Sequence, residues 1–264
     1  MAQIPAIFEV RELTAYKSGA RENVRHPIVK ELPLTIMLNG EELATLVCSP
    51  HSLELLALGF LVSEGVITAR EELKEISCRE VQGVVWIETI DGKTQPDGFL
   101  KRNFASCCGK SRPSLHFLND YEQLRPVPHT TEFSVTQLLH FAALLDEEAG
   151  TYRMTGGVHE AALAHEGRLI ACYEDIGRHN ALDRILGHTF LNGIDTSDKA
   201  VILSGRISSE MLTKAARIGV PVVVSRSAPT CLSIDLAEQL GITIVGFARG
   251  NGLNVYTRPD RVTE

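Results

Sequence analysis

The sequence lacks any apolar run long enough to span a bilayer: the most apolar stretch, Leu53 to Val62, breaks at Ser63-Glu64-Gly65. Met1 to Arg11 has neither the basic start nor the apolar core of a secretory signal, which points to a cytoplasmic protein. There is no surplus of positive charge. With 26 Lys and Arg against 33 Asp and Glu, the formal net charge is −7, which excludes broad nucleic-acid binding as the main activity. Cysteines are too sparse for a disulfide framework, six in 264 residues. No internal repeat or low-complexity segment occurs. What remains is an ordinary soluble composition, 44% hydrophobic and 22% charged, in a chain long enough for one large domain or two small ones.

The alternation of short apolar strands with amphipathic helices is the main positive feature. Leu32–Leu38 and Glu41–Val47 flank Asn39-Gly40, a strong hairpin turn, whereas residues 1 to about 31 show no sustained period and read as an irregular lead-in or an edge strand. Ser49-Pro50 reads as the start of a helix whose apolar face is Leu53, Leu56, Ala57, Phe60 and Leu61. Two more strands follow, at 73–78 and 84–90. Residues 93 to about 130 are the least regular, and Pro126 and Pro128 mark a boundary between two lobes, 1–128 and 129–264. Ser134-Val135-Thr136-Gln137 reads as a capping box. Beyond it come a hairpin through Glu166-Gly167 and a helix near 180–190. Strands then fall at 199–203, 221–224 and 242–247, with helices at 208–218 and 230–240 between them. Such alternation predicts parallel neighbours with right-handed crossovers.

The residues between strand 168–173 and helix 180–190 are Glu174-Asp175-Ile176-Gly177-Arg178-His179-Asn180. This polar cluster sits at a strand-to-helix junction, where α/β sheets place ligands, and Asp175 or Asn180 is suited to cap the helix. The three parallel strands end in Ser204-Gly205-Arg206, Ser225-Arg226-Ser227 and Phe247-Ala248-Arg249-Gly250-Asn251-Gly252. Each puts an arginine beyond a strand beside small residues, which predicts a crevice for a phosphate-bearing ligand.

Cys107 and Cys108 stand in Ala105-Ser106-Cys107-Cys108-Gly109-Lys110-Ser111-Arg112. Lys110 and Arg112 favour a thiolate there, and adjacent Cα atoms only about 3.8 Å apart disfavour a bridge between the two. The pair is therefore a candidate nucleophile or sulfur carrier. Cys48, Cys78 and Cys172 lie in apolar runs and read as small buried hydrophobes. His159-Glu160 and Pro229-Thr230-Cys231 share pieces of the zinc-deaminase signature, but the spacing fails and no tetrahedral ligand set is present, so no metal site is expected. His159, Glu160 and His179 keep two readings open: acid–base groups of a nucleotide hydrolase or deaminase, or structural polar residues.

Thr155-Gly156-Gly157-Val158-His159-Glu160-Ala161-Ala162, the 174–183 segment, Ser204-Gly205-Arg206-Ile207-Ser208, Ser225–Thr230 and Gly246–Gly250 together resemble the FdhD/NarQ family, in consistent order over about 32–257. The resemblance implies an accessory sulfur carrier for formate dehydrogenase. Such a protein accepts persulfide sulfur from a cysteine desulfurase and passes it to the molybdenum cofactor, bis-molybdopterin guanine dinucleotide, with GDP as a mimic. It further implies an α/β fold: a C-terminal three-layer cytidine-deaminase-like lobe with a mixed, mostly parallel sheet, and a smaller N-terminal α+β lobe. A homodimer that works on the apo-dehydrogenase is also implied. Position by position, the persulfide falls on Cys108 and Cys107, and cofactor binding on Phe247, Ala248, Arg249, Gly250, Asn251 and Gly252. Arg206 and Arg226 serve the phosphates. Many family members carry C-x-x-C before Gly-Lys; here Ala105 takes the place of the first cysteine. A non-catalytic assembly chaperone is the third reading.

Overall fold

The computed structural model describes residues 7–92, 102–104, 124–128 and 131–264. Cys107 and Cys108 lie outside the described residues. The chain begins with a long antiparallel ribbon, β1 (Phe8–Lys17) and β2 (Ala20–Val29), closed by Ser18-Gly19 with positive φ at both positions. Of the two readings of this segment, an irregular lead-in or an edge strand, the structure has the strand, as a pair rather than a single edge. The ribbon is mostly exposed on both faces, so nothing selects an apolar/polar alternation in its sequence.

β3 (Leu32–Leu38) and β4 (Glu41–Cys48) pair through Asn39-Gly40 as the sequence predicts. With β5 (Leu73–Arg79), β6 (Val84–Thr89) and β7 (Arg102–Phe104) they make a five-stranded sheet in the order β5-β6-β3-β4-β7. Helix α1 (Leu53–Ser63) covers it, packing Leu53, Leu56 and Phe60 against Leu34, Ile36, Val85 and Ile87. Burial reaches beyond the one apolar face read from the sequence, to Leu58, Gly59 and Val62. A helix buried nearly all round must be covered on two sides. The second cover is the helix Arg178–Asn192.

The larger sheet contains β9 (His159–His165), β10 (Arg168–Asp175), β11 (Ala200–Leu203), β12 (Val222–Ser225), β13 (Thr243–Arg249) and β14 (Gly252–Val255), in the order β10-β9-β11-β12-β13-β14. β11, β12 and β13 are parallel neighbours; the other three pairings are antiparallel. One face packs against α2 (Val135–Glu148), through Leu138, Phe141, Ala142 and Leu145. α2 starts with the capping box expected at Ser134 and Gln137; the short helix α3 (Gly150–Thr155) follows it. α4 (Arg178–Asn192), α5 (Ser209–Arg217) and α6 (Cys231–Leu240) cover the other face with Leu182, Ile185, Leu186, Met211, Leu212 and Leu236. A short parallel pair, β8 (Phe133–Ser134) with β15 (Val262–Thr263), ties the C-terminus back to the start of α2. No described helix is long and apolar enough to cross a membrane.

Two expected caps are elsewhere. α1 is preceded by Ser52 in the left-handed region, with no side-chain cap, rather than by Ser49-Pro50. α4 is preceded by Gly177, with Asp175 accepting from the Gly177 N–H and Asn180 inside the helix. Ser49, Asp175 and Asn180 are instead spent on a buried knot between the two sheets. Asp175 accepts from Ser49 N (2.9 Å), Gly177 N (2.8 Å) and Asn180 Nδ2 (2.9 Å), and pairs with Arg184. Arg184 also donates to the carbonyls of Ser49 and His51. Asp175 and Arg184 are fully buried, a burial tolerated because the carboxylate and guanidinium answer each other and backbone groups answer the remainder.

Candidate functional site

The carboxyl ends of β10, β11, β12 and β13 come out at one edge of the larger sheet, and β9, antiparallel to its neighbours, begins there. Five sequence segments therefore meet at a single rim: 159–160, 174–179, 204–206, 225–227 and 247–252. Alternation along each strand then sorts the side chains between the two faces.

On the α2 side stand Glu160 and its cross-strand partner Glu174, with Asp146 at the end of α2 and Arg226 beyond β12. Arg226 pairs with Asp146. Thr151 Oγ1 donates to Glu174 at 2.6 Å. Glu160 is only 5% exposed and its Oε1 has no hydrogen-bond partner among the described residues. Burial, and then the neighbouring Glu174 charge, push its carboxyl up to about 7. Glu174 is raised as well, chiefly by burial. The sign of the consequence follows. Between about 4.5 and 7 the folded chain holds a proton on Glu160 that the unfolded chain has lost, so stability falls as pH rises through that window. Glu160→Gln should match wild type at pH 4 and exceed it by about 2 to 3 kcal/mol at pH 8. Urea melts at both pH values check this, and an equal effect at both would show that Glu160 does not titrate as described.

On the α4 side stand His159, Arg178 and His179, with Gly205 between them and β11. A Cβ built on Gly205 would lie 3.4 Å from His159 Nδ1 and 3.5 Å from Arg178 Cδ. His179 Nε2 is 3.1 Å from Glu210 Oε2 of α5. His159 is held below the usual histidine range, first by burial and then by Arg178.

At the far end of the rim, Phe247, Ala248 and Arg249 belong to β13 itself rather than to a loop after it, and Gly250 and Asn251 turn the chain into β14. The ladder shifts between Gly246 and Arg249, where Phe247 takes φ +53. A left-handed Phe inside a strand is a bulge that re-aims side chains. Phe247 and Arg249 are exposed, with the guanidinium 5.9 Å from the centre of the Phe247 ring. Arg206 is exposed after β11. The three arginines singled out in the sequence thus belong to one rim, with Arg226 turned toward the carboxylates. Sequence reasoning missed Arg178 and Glu174, which lie inside the junction motif it had marked. It also missed Asp146 and Glu210, for which no local signal exists.

Elsewhere, a cavity of about 440 Å³ lies between the ends of α1 and α5 and segment 124–128, lined by Val62, Ile67, Leu124, Val127 and Ile218. Cys48, Cys78 and Cys172 are buried or half-buried, with burial raising their thiols to about 12, 11 and 12. They are poor nucleophiles, in keeping with the packing role read from the sequence. Cys231 is exposed at the first turn of α6.

The family model described as FdhD/NarQ matches residues 29–263. Curated relatives called "Sulfur carrier protein FdhD" include one from Bacillus subtilis (strain 168), 44% identical over 97% of each chain. Another, from Bacillus pumilus (strain SAFR-032), is 42% identical over 98% of this chain and 99% of the relative. A crystal structure of a formate dehydrogenase accessory protein from Desulfotalea psychrophila is similar over 97% of this chain and 100% of that one, with TM-score 0.81 and 27% identity.

Proposed function

The chain belongs to the FdhD/NarQ family, and from that membership we propose that it is a sulfur carrier serving formate dehydrogenase. In this reading a cysteine desulfurase loads a persulfide onto Cys108 or Cys107, and the sulfur passes to the molybdenum cofactor, bis-molybdopterin guanine dinucleotide, held as substrate at the rim of the larger sheet. Arg206, Arg226 and Arg249 bind its phosphates, and Phe247 to Gly252 form the wall beside them. The acceptor of the finished cofactor is the apo-dehydrogenase, the exchange is cytoplasmic, and the carrier works as a homodimer. The six-stranded half serves as a cytidine-deaminase-like scaffold for this site.

The observation that carries the reading is likeness to relatives named as sulfur carriers across nearly the whole chain. Two features of the structure support it. The rim gathers arginines, glycines and three strand-to-helix junctions at one sheet edge, the place where α/β proteins bind nucleotides. In addition, β7 runs parallel to β4, with Phe104 opposite Leu46. Three residues beyond Leu46, Ser49 donates to Asp175 at the rim. The strand leading to the cysteine pair is therefore directed toward the end of the site at the β10–α4 junction. Cys108 is four residues beyond Phe104, a reach of at most about 14 Å.

Mass spectrometry after incubation with a cysteine desulfurase and cysteine tests the proposal. One added sulfur atom is expected on the peptide holding Cys107 and Cys108, and none after both are changed to alanine. The double variant should bind GDP as wild type does and fail to activate formate dehydrogenase. GDP binding with no persulfide on either cysteine would favour the assembly chaperone, and turnover of free nucleotide would favour a hydrolase.

A further inference from the structure

The side chains on the α4 side of the rim have no part in the reading above, yet they are arranged as a cup with one guanidinium in its wall. Arg178 and His159 close around Gly205, which has no side chain, at 3.5 and 3.4 Å from where a Cβ would stand. The Nε of Arg178 is buried and has no hydrogen-bond partner among the described residues. A buried guanidinium N–H without an acceptor costs free energy that a ligand oxygen would recover. His179, one residue on, is set by Glu210 of the neighbouring helix. Behind the cup, α4 begins at Gly177, which has no side chain to answer the first-turn N–H groups, and that turn holds no acidic residue. The nearby Asp175 carboxylate is already committed to Arg184 and three other donors. The Nε of Arg178 is thus left without an acceptor among the described residues, while the Glu210 carboxylate stands against His179.

We propose that His159, Arg178 and His179 form an oxyanion pocket around Gly205, separate from Arg206, Arg226 and Arg249, which takes a phosphoryl group of the nucleotide ligand. This rests on the nucleotide-binding reading and deepens it: the ligand lies across the rim, gripped from both faces of the sheet. Arg178 supplies directional N–H donors, His159 supplies one N–H, His179 adds one from Nδ1 when it is an imidazolium facing Glu210 through Nε2, and the bare glycine lets the oxygen approach the β11 terminus.

Calorimetric titration of the full chain with GDP and with inorganic pyrophosphate tests this, together with NMR of the histidine imidazoles under pyrophosphate. Arg178→Gln should weaken both ligands by about tenfold or more, the loss of one charge-assisted contact. Gly205→Val should do the same by filling the cup without altering charge, with a thermal midpoint near wild type showing that the chain still folds. The His159 and His179 signals should move on adding pyrophosphate to wild type and stay in place in Arg178→Gln. Wild-type affinity in both variants, or pyrophosphate binding that leaves both imidazoles unmoved, would overturn the pocket. If wild type fails to bind GDP while pyrophosphate still moves the two imidazoles, the pocket stands and the nucleotide reading falls.

Discussion

Replacing Arg184 with Leu is expected to cost about 3 to 5 kcal/mol of stability, the usual penalty for stripping one partner from a buried ion pair. Asp175 would keep three donors, Ser49 N, Gly177 N and Asn180 Nδ2, but lose the only full positive charge bonded to it among the described residues. The carbonyls of Ser49 and His51 would lose their guanidinium donors as well. Leu fills part of the volume, so the loss is electrostatic more than steric. Asp175→Asn should cost less, because an amide still accepts from the backbone. The double variant Asp175→Asn/Arg184→Leu should recover part of the sum, since no unpaired charge remains; a double-mutant cycle in guanidinium measures that coupling. A cost below about 1 kcal/mol for Arg184→Leu would mean that the knot does not hold the two sheets together. The consequence for the site is direct: the knot clamps the turn after β4 to the junction between β10 and α4, which carries Glu174, Arg178 and His179.

That knot also marks the limit of what the sequence disclosed. The α/β alternation from 199 to 247, the Asn39-Gly40 hairpin and the capping box at Ser134 were legible because each is encoded within a few neighbouring residues. The polar junction at 174–180 was legible as a special place, but its chemistry was not. Ser49 meets Asp175 across 126 residues of sequence, so the same side chains that look free to cap a helix are already engaged. Arg226 presents the same difficulty. Its position after β12 follows from the strand pattern, whereas its pairing with Asp146, eighty residues upstream, depends on how α2 lies across the sheet. The N-terminal ribbon was legible only as one of two readings, an edge strand or an irregular lead-in, for the opposite reason. It buries too little to impose a period, and two strands pair there without a core to announce them.

Gly187→Ala should, with Gly59→Ala, be among the most damaging single-methyl additions at the described residues outside the site, lowering stability by about 2 to 4 kcal/mol. Ala improves on Gly inside a helix by about 1 kcal/mol, so intrinsic propensity alone favours the change. Packing decides otherwise. A Cβ at Gly187 of α4 would stand 2.0 Å from the carbonyl oxygen of Leu55 in α1, and one at Gly59 of α1 would stand 1.7 Å from the carbonyl oxygen of Asp183 in α4. Both obstacles are backbone, so no rotamer change relieves them, and the helices must move apart. They are poorly placed to do so. Lys214 of α5 grips both carboxylate oxygens of Asp183, at 2.6 and 2.8 Å, and the Ser63 hydroxyl of α1 at 2.8 Å, pinning the crossing from a third helix. Because a single separation of α1 from α4 would relieve both clashes, Gly59→Ala/Gly187→Ala should cost clearly less than the sum of the two single changes. Equilibrium denaturation of the three variants reads this, and strict additivity would show that the glycines act independently. The same separation would draw Arg178 and His179, on the first turn of α4, away from Gly205. GDP affinity should therefore fall in Gly187→Ala even under conditions where the variant is fully folded.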